Sequence, residues 1–147
     1  IDNSVVIGNE TNYIYTVYNG SPTWNFSSDE RLKKDIEDLD LGLSFVCDIN
    51  PSIYSWKNKE DYDSGESEEF ISQSTSKPSG RHYGLIAQNV KNAMDAHGAS
   101  EFGGWSVDQK TGVQGVGSTA FIEPLINAVK ELSSMVSTLE ERISELE

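Results

Sequence analysis

The sequence predicts an α+β protein with short N-terminal strands, a small mixed core and one long C-terminal helix. Three observations carry this prediction. Residues 1–27 hold no Lys or Arg and are rich in β-branched and aromatic side chains. The middle of the chain alternates short apolar runs of strand and helix character, punctuated by Gly, Pro and Asn. From Ile122 onward the apolar residues recur at alternating intervals of three and four, which marks a coiled-coil seam.

Composition narrows the partners. The net charge of −13 over 147 residues argues against nucleic acid, whose phosphates require clustered Lys and Arg, and against an anionic membrane surface. No apolar run is long enough to span a bilayer, and no signal peptide is visible. A hydrophobic content of 36% is low for a self-sufficient globule and is consistent with a core built partly between chains. Cys47 is the only cysteine, which excludes an intrachain disulfide. Its place in the run Leu43-Ser44-Phe45-Val46-Cys47 predicts a buried small hydrophobe. A chain that begins at Ile1 rather than Met is expected to be a piece of something longer.

Taken in order, Val5–Gly8 and Tyr13–Tyr18 read as strands, separated by turn residues at Asn9–Asn12 and followed by a second turn at Asn19–Pro22. Two short strands cannot form a stable sheet alone, so they must pack on something else. Trp24 and Phe26 lead into Ser27-Ser28, where the composition becomes charged. Leu32, Ile36, Leu39 and Leu43 fall at helical spacing and predict a helix over about 35–47, weakened by Gly42 and ended by Asn50-Pro51. Ile53–Trp56 reads as a strand. Residues 58–80 read as an acidic solvated loop; Asp61-Tyr62-Asp63-Ser64-Gly65 does not complete a calcium loop.

His82–Gln88 reads as a strand leading into a helix through Val90 and Met94, stopped at His97-Gly98. Trp105–Val107 and Val113–Val116 read as a hairpin. Pro124 fits the first turn of the last helix, where its missing N–H costs nothing. In that helix Ile122, Val129, Val136 and Ile143 take heptad position a, and Leu125, Leu132, Leu139 and Leu146 take d. β-Branched a with Leu at d favours two strands. Ile126 at e, with Ala128 and Met135 at g, widens the stripe toward three, so the pattern leaves dimer and trimer open. Arg142 at g can reach Glu147 of a neighbouring helix, a small exposed contribution.

The chemistry is concentrated in Ser28-Asp29-Glu30-Arg31-Leu32-Lys33-Lys34-Asp35-Ile36. A serine hydroxyl is a poor nucleophile until a base takes its proton, and a lysine serves only when neutral. Burial or a neighbouring cation promotes the neutral form; Lys34 and Arg31 are available as such neighbours, while Asp29, Glu30 and Asp35 oppose them unless paired elsewhere. The plain structural alternative is that Ser28 caps a helix. No metal-ligand spacing, phosphate-binding glycine loop or cofactor motif is evident, so none is implied.

The Ser28–Ile36 stretch, then Tyr54-Ser55-Trp56-Lys57, then Arg81-His82-Tyr83-Gly84-Leu85-Ile86-Ala87-Gln88, resembles the endosialidase-type C-terminal intramolecular chaperone domain of phage tail spikes, tail fibres and neck appendages. The final Ala128-Val129-Lys130-Glu131-Leu132 helix also fits. The resemblance implies a homotrimer, with the last helix in a three-stranded coiled coil that registers the upstream stalk of its own polypeptide. It also implies self-cleavage by a Ser-Lys dyad mapping onto Ser28 and Lys33, with His82 as the functionally important histidine. The scissile bond would lie on one side of Ser28, among Ser27, Ser28 and Asp29. Residues 1–27 would be the end of a β-rich, triple β-helix-like stalk. Residues 28–147 would be the chaperone domain, with a variable acidic loop at 58–80 and the coiled-coil helix at 122–147. The setting implied is the host cytoplasm during virion assembly. The competing expectations are a permanent trimerisation and receptor-contact tip without cleavage, and, more weakly, a hydrolase of other proteins.

Overall fold

The computed structural model describes residues 4–8, 13–17 and 27–146. The chain divides into two compact units, Ile1–Asp38 and Leu39–Glu147. The predicted turns at 9–12 and 19–22, the side chains of Trp24 and Phe26, and Glu147 with its pairing to Arg142 lie outside the described residues.

In the first unit, strands β1 (Ser4–Gly8) and β2 (Tyr13–Val17) pair antiparallel, with Ser4 opposite Val17 and Gly8 opposite Tyr13. The β-branched side chains of Val5, Val6, Ile7 and Ile14 are all exposed on this ribbon, and no other described residue covers them.

The second unit is built from α1 (Leu43–Asp48), β3 (Pro51–Tyr54), α2 (Glu68–Thr75), β4 (His82–Leu85), α3 (Ala87–Ala96), β5 (Trp105–Val107), β6 (Gln114–Val116) and α4 (Ile122–Ser144). Strands β3 and β4 pair antiparallel, as do β5 and β6, giving two small two-stranded sheets. The core gathers Leu41, Phe45, Val90, Ala93, Met94 and Phe121, with Leu85, Phe102 and Trp105 packed against it. Phe45 is its centre, fully buried, with the Phe102 ring edge-on at 5.2 Å and the Phe121 ring parallel at 6.4 Å. Offset and edge-to-face rings satisfy the aromatic quadrupole while excluding water.

The helix expected over about 35–47 forms only at Leu43–Asp48. Asp35 sits at φ 51°, which an α-helix does not admit. The residues that turn inward are Leu41 and Phe45, whereas Leu32, Ile36 and Leu39 remain exposed. Cys47 is likewise exposed, not buried, because α1 buries the face carrying Phe45.

The 58–80 segment contains real structure as well as acidic surface. Ser67 caps α2 by accepting from the Phe70 amide at 3.2 Å, and Glu68 and Glu69 sit in the first turn, where the helix dipole favours carboxylates. Ser74, the one buried polar residue of the described chain, bonds the Tyr62 hydroxyl at 2.6 Å and donates to the Lys57 carbonyl at 3.0 Å. The signal for this fold-back lay in Tyr62, Phe70 and Ile71, apolar side chains in a run otherwise dominated by charge.

The strand expected over Ile53–Trp56 forms two residues earlier, as β3; the remaining elements fall where the sequence places them. α3 ends at His97 with Gly98 at φ 65°, the left-handed position that glycine tolerates. The β5–β6 hairpin turns on Asp108, whose carboxylate accepts from the Lys110 and Thr111 amides at 3.0 and 2.7 Å, and on Gly112 at φ 70°. Among the described residues no helix is long and apolar enough to cross a membrane.

Candidate functional site

Local structure brings Ser28 and Lys33 together. Residues Glu30–Leu32 form one 3-10 turn, closed by Leu32 N–H to Asp29 O and Lys33 N–H to Glu30 O, both 3.0 Å. In an extended chain a separation of five residues would hold the two side chains far apart. The turn folds the chain back, and Lys33 Nζ donates to Ser28 Oγ at 2.7 Å.

Asp29 rather than Ser28 is the cap of this turn. Its carboxylate accepts from the Arg31 amide at 2.9 Å, from Arg31 Nε at 2.9 Å and from Nη2 at 2.6 Å. The bidentate guanidinium contact, reinforced by the amide, holds the Asp29 carboxyl below the usual carboxylate range and raises Arg31. The opposition expected from nearby acids is thereby largely removed. Asp29 is engaged by Arg31, and Asp35 lies 3.6 Å from Lys34. Among the described residues no carboxylate is within ion-pair distance of Lys33, so the serine hydroxyl is its neighbour. A heavy-atom separation of 2.7 Å is within proton-transfer range. A neutral Lys33 amine at that distance would accept the proton that the ammonium now donates.

His82 belongs to the second unit. The two sequence stretches that carry Tyr54 and His82 meet there as β3 and β4, with Tyr54 opposite His82 and Ser52 opposite Gly84. The His82 ring lies near-parallel to Tyr54 at 5.9 Å and tilted to Trp56 at 6.2 Å. His82 Nε2 is 3.0 Å from the Pro78 carbonyl. A carbonyl only accepts, so Nε2 carries a proton and, in the neutral ring, Nδ1 is the acceptor. Beside this sheet the β5–β6 hairpin and α2 complete a groove of about 630 Å³, lined by Tyr54, Trp56, Phe70 and Tyr83.

The seam residues of α4 are all on the surface of this chain. Ile122, Leu125, Val129, Leu132, Val136, Leu139, Ile143 and Leu146 are each at least 46% exposed. The residues of α4 that are buried are Pro124 and Ala128, at heptad positions c and g; Ala128, expected to widen the seam, is buried against its own chain instead. Sequence reading did not anticipate this second, inward face.

Nor did it anticipate two contacts with the core. His97 Nε2 lies 2.7 Å from Asp48 Oδ2, joining the ends of α1 and α3, with its ring edge-on to Phe45 at 5.5 Å. Asn127 and Glu131 of α4 bond the backbone ahead of α1. Both pairs are far apart in sequence and leave no local pattern. No grouping of three or more His, Cys, Asp or Glu fit to hold a metal occurs among the described residues.

Residues 28–99 match the family described as the chaperone of endosialidase, which is what this part of the chain is similar to. The match begins at Ser28 and extends past α3, so it spans both the Ser28–Lys33 pair and the β3–β4 sheet. It supports an intramolecular chaperone role in tail-spike assembly. No curated protein matches the chain.

Proposed function

We propose that the chain is a self-releasing intramolecular chaperone. It trimerises, holds three copies of the upstream stalk in register while they fold, and then severs itself at Ser28. The observation that carries this reading is the Lys33 Nζ to Ser28 Oγ contact of 2.7 Å, on a turn whose nearest acid is taken up by Arg31.

In the free chain Lys33 is exposed. Closure of a trimer around the junction would remove water from Lys33 and favour its neutral form, turning an ammonium donor into a base. Ser28 Oγ then loses its proton to Lys33 and attacks a backbone carbonyl. Attack on the Ser27 carbonyl passes through a five-membered ring within one chain. The amide C–N bond breaks, Lys33 returns the proton to the departing amine of residue 28, and water hydrolyses the resulting ester. Attack on the carbonyl of Ser28 itself would need a four-membered ring, so a cut after Ser28 calls for the hydroxyl of a neighbouring chain.

The partner surface is the exposed a/d seam of α4. Burying each large apolar side chain there contributes roughly 1.5–3 kcal/mol. The release would occur in the host cytoplasm during virion assembly. Because the helper departs, the folded stalk cannot revisit its assembly pathway, and its persistence becomes a matter of unfolding rate.

Intact mass of the purified chain under denaturing conditions, beside Ser28→Ala and Lys33→Ala, tests the reading. Two fragments from the wild type and one species from each variant are expected, and the fragment masses fix the side of Ser28 that is cut. A trimeric wild type that stays whole for days would instead make the domain a permanent trimerisation tip.

A further inference from the structure

Helix α1 begins at Gly42, which has no side chain with which to cap it. The missing cap comes from α4, 88 residues along the chain: Glu131 Oε2 accepts the Leu43 amide at 2.8 Å. One turn earlier, Asn127 Nδ2 donates to the Leu39 carbonyl at 3.0 Å and the Leu41 carbonyl at 3.3 Å, and it lies 3.4 Å from Glu131 Oε1. Two side chains of one helix thus satisfy the backbone of residues 39–43 on both its donor and its acceptor sides. A Cβ on Gly42 would clash with the Glu131 carboxylate and displace it from the Leu43 amide.

Asn127 and Glu131 take heptad positions f and c, on the inward face with Pro124 and Ala128, and the seam lies on the other side of the same helical turns. Residues 39–43 follow Lys33 by only six positions at the nearest. We infer that Asn127 and Glu131 are positioning residues, forming a bracket through which the winding of α4 fixes the backbone where the Ser28–Lys33 junction joins the domain. Where α4 frays, both bonds are lost and residues 39–43 lose their donor and acceptor together. Where copies of α4 wind on one another along the seam, the bracket is held. This inference rests on the self-release reading.

The test uses the full chain with Asn127→Ala, Glu131→Ala and Glu131→Gln. Oligomeric state is read by light scattering, amide exchange over residues 39–45 by mass spectrometry, and self-cleavage by intact mass. Neither position touches the seam, so the oligomer is expected to match the wild type. Asn127→Ala and Glu131→Ala should exchange faster over residues 39–45 and cleave about tenfold to a hundredfold more slowly, the scale of loss seen when reacting groups are misplaced. Glu131→Gln keeps an acceptor for Leu43 N–H and should recover most of the rate. Gly42→Ala should reproduce Glu131→Ala, and the two together should cost less than their sum, since removing the carboxylate relieves the clash.

Cleavage at the wild-type rate in the alanine variants, or exchange unchanged over residues 39–45, overturns the bracket. Oligomer and cleavage lost together, without recovery in Glu131→Gln, also overturns it and leaves a merely structural contact. Failure of the self-release reading is recognised separately, because the wild type then stays whole. The exchange data alone then decide whether the bracket holds this backbone.

Discussion

The Phe45 cluster and the seam of α4 are both apolar assemblies of the second unit, but they are completed differently. Around Phe45 the chain supplies every wall: Leu41 and Val90 pack with Phe102 and Phe121 until the ring has no exposed surface. Along α4 the chain supplies one wall only, and the a and d side chains remain about half exposed. The difference lies in which faces the chain's own described elements cover. Short loops fold α1, α3 and the hairpin back on Phe45. Among the described residues no element covers the a and d face of the 23-residue α4. The core is closed within one chain, and the seam is open. One helix serves both, with Pro124 and Ala128 facing inward and Ile122, Leu125, Val129 and Leu132 facing outward.

The comparison can be broken at either end. Phe45→Ala removes the ring at the centre of the core and should cost about 3–5 kcal/mol, a large share of the stability of a domain this size. Chemical denaturation should show the second unit unfolding at much lower denaturant, with assembly lost as a consequence. Leu132→Asp with Val129→Asp should do the reverse. Light scattering should fall to the mass of one chain, while circular dichroism and the fluorescence of Trp105 keep their folded values. Loss of the fold in the seam variant would mean that the core also depends on partners.

Ala128→Leu probes the inward face. It forces three carbons into a buried position between α4 and α1 and should cost about 1–3 kcal/mol by overpacking. The same change at exposed Ser134 should leave the melting temperature nearly unchanged, and equal effects at both positions would contradict the two-faced helix.

The smallest effect concerns Asp108. The Thr111 amide and hydroxyl, bonded to its carboxylate, hold its pKa below the ordinary 3.8. A depressed folded-state pKa means that ionisation stabilises the loop above the unfolded value. That stabilisation fades as pH falls below 3.8 through the folded value. Asp108→Asn should flatten this acid limb in the exchange of the Gly112 and Thr111 amides without altering the core.

The junction was largely legible because its geometry is local. One 3-10 turn is enough to bring Lys33 to Ser28, and the competing acid Asp29 is removed by a residue two positions away. His82 was legible only through its resemblance to a family, since an exposed-face histidine beside Tyr83 has no pattern of its own. Its stacking on Tyr54 comes from strand pairing across the 58–80 segment. The acidic reading of that segment missed α2, because six acidic side chains obscured the three apolar side chains that fold it back on Ser74 and Lys57.

What the sequence determined by itself was whatever repeats or acts over short range. The heptads of α4, the α3 stop at Gly98, the hairpin at Asp108–Gly112, the first two strands and the candidate dyad are fixed by side-chain period, backbone angle and neighbouring charge. Tertiary structure decided the rest. It left the predicted helix before Gly42 as irregular backbone, with residues 39–43 bonded by Asn127 and Glu131 from another helix. It exposed Cys47 and buried Leu41, because packing around Phe45 selects one face of α1. A backbone group can take its hydrogen bond from anywhere in space, and no local pattern records a partner 88 residues away.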